Sequence, residues 1–140
     1  MILVSKMLNR IVLFFIFLGI FTVSFAVGAE VQVSEEESAI VLEQFESLLA
    51  EIDAVGIFTH NLSLAIPMFI PGFGIAWGAF AAFSTGMAFS VLRDASPMLE
   101  NIPPLTILFM SPFGLMEVAA YSIAMSQTLP KLLHSPLQKL

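Results

Sequence analysis

The chain has 140 residues, 58% of them hydrophobic and only 11% charged, with a mean hydropathy of +0.94; this composition excludes a soluble globular domain and points to an integral membrane protein. Cysteine is absent, which excludes a disulfide framework and thiolate metal chemistry. The net charge of −6 is local: eight of the eleven acids lie between 30 and 53, where there is no Lys or Arg, and nothing basic or aromatic is arranged for nucleic acid.

The first hydrophobic run, IVLFFIFLGIFTVSFAVGA over 11–29, follows Lys6 and Arg10, which places its N-terminal end in the cytoplasm. Residues 1–29 are a membrane anchor or a signal peptide, because Val27-Gly28-Ala29 is an acceptable small-residue cleavage site. Either way the acidic segment 30–55 lies outside. There Ser34-x-x-Glu37 spells a capping box and predicts a helix from 35. Val41, Phe45, Leu48, Ile52 and Val55 make one apolar stripe, while Glu43, Glu46 and Glu51 fall away from it. This external amphipathic helix is expected to lie against the ends of the chain's own membrane helices, or against a partner or a second copy. The acids match no calcium loop and read as a solvated face.

From Ile57 to Leu92 no residue is charged. A straight helix of that length would reach about 54 Å, well past a hydrocarbon core of roughly 30 Å. Pro67 and Pro71-Gly72-Phe73-Gly74 break it, predicting a short helix to about 70, a turn, and a longer helix to 92. The first arm is short for a full crossing, so a re-entrant segment is the alternative to a hairpin. Lys131 and Lys139 in the tail, against Arg93 alone in the loop 93–104, favour the hairpin. The expected fold is therefore all-α: a multi-pass protein of three to four membrane segments, four being preferred with both ends inside. It has a glycine-rich hairpin, a membrane-embedded core over 56–131 and a cytoplasmic tail over 132–140. Along the second arm Gly74, Gly78, Ala82 and Gly86, continued by Ser90, form a small-residue groove for another helix of this chain or of another subunit.

The last hydrophobic run, SPFGLMEVAAYSIAMSQT over 111–128, contains Glu117, and an intramembrane acid faces a protein interior, a partner or water. Gly114, Glu117 and Tyr121 share a helix face. Trp77 and Tyr121 are either interface anchors or core residues, and His60 and Asn61 cap or hydrogen-bond the short arm.

The runs FTHNLSLAIPMFIPGFGIAWGAFAAFSTGMAFSVL and SPFGLMEVAAYSIAMSQTL resemble the stage II sporulation protein M family of membrane proteins, over residues 57–131. The resemblance rests on His60-Asn61, the glycine-rich hairpin, Thr85-Gly86 where the family has Asn-Gly, and Pro112-Phe113-Gly114-Leu115-Met116-Glu117 where it has Pro-His-Gly-x-x-Glu. It implies a buried polar cluster of His60, Asn61, Glu117 and Tyr121, and a role like that of family members that act as scaffolds for cell-wall-remodelling complexes. Phe113 and Thr85 remove two polar members of the family's pattern.

An enzyme is not expected. The chain lacks a nucleophile paired with a base, and His60 and His134 fall in segments far apart, so no catalytic, cofactor or metal residue is assigned. The expected function is a non-catalytic membrane scaffold or assembly subunit that meets the lipid bilayer and other membrane subunits or itself. The alternatives are a permease-like element with Glu117 and Tyr121 lining a polar path, and an accessory subunit of a larger membrane enzyme.

Overall fold

The computed structural model describes residues 2–50 and 53–133, which form six α-helices and one 3-10 turn, with no strand among the described residues. Helix α1 spans Ile2–Ala29. Its apolar run holds no proline, and a helix satisfies every backbone group from within, as lipid requires. Phe17, Phe21, Phe25 and Ala29 recur every fourth residue and are buried against α4 (Phe73–Ala95) and α6 (Pro112–Leu133). Phe15, Val23 and Val27 face outward.

Helix α2, Glu35–Ala50, starts at the capping box. The Glu37 N–H donates to Ser34 Oγ at 3.3 Å, and the Ser34 hydroxyl and N–H donate back to Glu37 Oε2 at 2.8 and 3.4 Å. The expected stripe out to Val55 is corrected here. α2 ends at Ala50, and Asp53 accepts the Gly56 N–H at 2.6 Å as the N-cap of a separate helix α3, Ala54–Ala65. Val55 thus belongs to α3, while the Leu48 side chain and all of Ile52 lie outside the described residues.

α3 passes into the 3-10 turn Ile66–Phe69, with Pro67 in its first turn, where a missing N–H does no harm. Gly72 then takes φ 83°, a conformation that glycine adopts freely, and α4 begins. Beyond α4 a short helix α5, Pro104–Met110, precedes α6. The α5–α6 elbow bends by 83°. Ser111 Oγ accepts the Gly114 N–H at 3.0 Å, and any Cβ on Gly114 would stand 2.8 Å from that hydroxyl. α5 has no counterpart among the expected elements. The tail over 132–140 lies outside the described residues beyond Leu133.

Asn9–Ala29 and Phe73–Ala95 are long and apolar enough to cross a membrane, and the elbow pair would add a third span if both its arms form one crossing. Ala54–Phe69 is apolar but shorter.

Residue pairings give the helix directions. Gly78 meets Met125, and Gly74, one turn earlier in α4, meets Thr128 further along α6, so these two helices are antiparallel. Phe21 packs on Tyr121, which lies past Gly78 toward the C-terminal end of α4. Val31, just beyond α1, accepts the Ser90 hydroxyl at 3.2 Å in the last turns of α4. α1 and α4 therefore run the same way, and the chain between them returns from one end of the bundle to the other.

Candidate functional site

The groove residues meet three different elements of the same chain. A Cβ on Gly86 would strike the Phe25 carbonyl, and one on Gly28 the Phe83 carbonyl, so the two glycines let α1 and α4 touch backbone to backbone. Ala82 is fully buried beside them. Gly78 makes room for the Met125 thioether, and Gly74 for the Met68 carbonyl and the Thr128 hydroxyl. Composition could not reveal the reciprocal partner Gly28, which looked like part of a cleavage site.

Glu117 is half-buried on α6, and Tyr121, one turn later, is only 2% exposed. Of the two roles open to Tyr121, the structure places it in the core, its ring 5.7 Å from that of Phe21. Its hydroxyl is buried with no hydrogen-bond partner, as is that of Ser122. The Glu117 carboxylate lies near enough to act on the phenol electrostatically, but no hydrogen bond of good geometry joins them. The one ion pair among the described residues, Arg93–Asp94 at 3.9 Å, does not involve Glu117.

His60 and Asn61 are not drawn into this pair. Every residue from Asp53 to Ser63 is exposed, and α3 touches the bundle at its C-terminal end, where Leu64 and Ala65 are half-buried. Thr59 and Ser63 satisfy their hydroxyls on carbonyls of their own helix, at 2.8 and 2.7 Å. The physical reason for the separation is the short grip of α3, which is held through the 3-10 turn rather than along its length. The Thr128 hydroxyl donates to the Met68 carbonyl, and Trp77 Nε1 donates to the Leu64 carbonyl at 2.9 Å. Trp77 is thereby a half-buried strut, stacked on Phe73 at 5.7 Å. Thr128 was missed in sequence because nothing separates it from the many hydroxyls that bond their own helix.

On α2, Ser38, Val41 and Leu42 are half-buried toward α4, but the same face continues uncovered through Phe45, 37% exposed, and Leu49, 49% exposed. Glu43 and Glu46 are exposed. Among the described residues no three His, Cys, Asp or Glu side chains gather as a metal site would need. Compared with known proteins, the chain matches no family model, no curated protein and no solved structure.

Proposed function

We propose that the chain is a non-catalytic membrane scaffold or assembly subunit, related to the stage II sporulation protein M family, that binds a partner protein through α2. The observation that carries this reading is the apolar face of α2, which starts on the bundle at Val41 and Leu42 and runs past it at Phe45 and Leu49. A face half-used within the chain and half-open beyond it suits a second protein. Gentle detergent purification from the native membrane tests this. The wild type is expected to bring a stoichiometric partner, and Phe45→Ser with Leu49→Ser to lose it at unchanged accumulation. A wild type that purifies alone overturns both the scaffold reading and the accessory-subunit reading.

The topology that goes with this function has four membrane segments, the N-terminus inside and α2 outside. What supports it is the shared direction of α1 and α4: if both cross, the apolar stretch Ala54–Phe69 must carry the chain back. In this reading 1–29 is a retained anchor, since cleavage would remove Phe17, Phe21 and Phe25 from the core. Intact mass of the purified protein tests the anchor, which is expected to be present.

A permease-like role draws support from one feature, the Glu117–Tyr121 pair with its unpartnered buried hydroxyl. Solute or ion flux in vesicles that disappears with Glu117→Gln would favour it over the scaffold.

A further inference from the structure

Five acids lie on α2, and the helix itself accounts for three of them. Glu35, Glu36 and Glu37 fill its first turn, where the positive end of the helix dipole favours a negative charge, and Glu37 also bonds Ser34. Glu43 and Glu46 have no such reward. They stand in the second half of the helix, which has no base in its last turn. Three residues apart, they share one side and repel each other, with nothing from the dipole to offset it. Both are exposed, and the one ion pair among the described residues includes neither.

Their placement gives them a use. At about 3.6 residues per turn, Glu46 and then Glu43 form the shoulder beside Phe45 and Leu49, the open end of the apolar face that Val41 and Leu42 begin on the bundle. Two partly open side chains are a small apolar footprint, far below the roughly 800 Å² per partner of an ordinary stable interface. The contact therefore extends onto the shoulders of the helix, and the charged groups it meets there are acids. We propose that the partner bound by α2 presents a cationic amphipathic segment, whose apolar side chains cover Phe45 and Leu49 while its lysines or arginines pair with Glu43 and Glu46. This rests on the partner-binding reading of α2 and gives that partner its chemistry.

The same charges decide against the other two occupants of such a face. A second copy would bring α2 onto α2 across a two-fold axis, and every charged residue of Glu35–Ala50 is acidic, so the pair would repel. A lipid surface with anionic headgroups favours amphipathic helices that carry Lys and Arg on the polar face, and α2 carries none. Opposite charge also orients the encounter: the cations fix the side from which the segment arrives and speed its association.

The test compares wild type with a chain carrying both Glu43→Gln and Glu46→Gln, each purified gently from native membranes. The ratio of partner to chain is expected to fall about five-fold in the double variant, the effect of losing two exposed ion pairs. Amide hydrogen exchange in α2, measured after the partner has been stripped, is expected to stay the same or slow, so the loss is not one of folding. Raising salt from about 0.05 M to about 0.5 M is expected to release the partner from wild type and close the gap between the two. A carbodiimide, which condenses a carboxylate with an amine into an amide, is expected to join Glu43 or Glu46 to a lysine of the partner. A partner that the double variant retains at the wild-type ratio and salt response refutes the cationic segment while the scaffold reading stands. A wild type that purifies alone overturns that reading and this one together. A carbodiimide link to a lysine of a second copy, identified by mixing light and heavy isotope-labelled chains, overturns the proposal by putting the chain itself on the face. With cysteine absent, Phe45→Cys and the opposite-face Ser47→Cys each supply a single thiol. In phosphatidylcholine vesicles of the purified chain both are expected to react with an impermeant reagent to the same end point, and a Phe45→Cys shielded there overturns the proposal in favour of lipid.

Discussion

Gly86 has no side chain because the Phe25 carbonyl occupies the space where a Cβ would stand, and Gly28 answers it with the Phe83 carbonyl. Gly86→Leu and Gly28→Leu are each expected to destabilise the protein by about 1–3 kcal/mol or more, through forced separation of two backbones. Gly19→Leu is the control, since nothing lies within 4 Å of the added Cβ; thermal unfolding in detergent distinguishes them. Thr128→Val strands the Met68 carbonyl and is expected to cost about 1–3 kcal/mol. Ser126→Ala removes only a bond within its own helix, to the Ile123 carbonyl at 2.7 Å, and is expected to be close to neutral. The glycine stripe of α4 was legible because small residues at every fourth position have few other uses in a membrane helix. The phenylalanine stripe of α1 was not, because the lipid-facing and protein-facing sides of such a helix are equally apolar.

Helix starts were easier to read than helix ends. The capping box at Ser34 announced α2 through residue types whose geometry is specific, whereas Asp53 looked like one more acid in an acidic run. Its role as an N-cap divides one expected helix into two and frees α3 to take its own direction. Asp53→Ala is expected to weaken the first turn of α3 by about 1 kcal/mol, seen as faster hydrogen exchange at the Gly56 amide with α4 unaffected. The α5–α6 elbow escaped for a related reason: Pro112 was visible as a break, but the angle depends on Gly114 and Ser111 meeting, which spacing does not encode. The polar cluster implied by family resemblance has its two halves on different elements. Sequence could supply the members, but whether α3 lies along α6 or away from it depends on packing between segments distant in the chain.

For the whole molecule, the four-segment topology expects cysteines at Ile70 and Ser96 to be labelled from opposite sides, Ser96 from outside. Labelling of both from one side would leave α4 without a crossing. The all-helical class was legible in the apolar runs and the capping box, and two of those runs form helices long and apolar enough to cross a membrane. The common direction of α1 and α4 was not legible, since it is written in pairings such as Ser90 with Val31 that no local pattern reveals. That common direction bears on how the protein is made. Neighbouring helices joined by a short turn enter a membrane as a ready pair, but α1 and α4 are separated by everything from Glu30 to Gly72. Chains are synthesised from the N-terminus, so in the four-segment reading α1 waits in the bilayer with its phenylalanine edge uncovered until Gly86 emerges. During that interval a chaperone or another subunit has its best opportunity to bind α1, and translation stalled before Gly86 would hold the nascent chain in that receptive state.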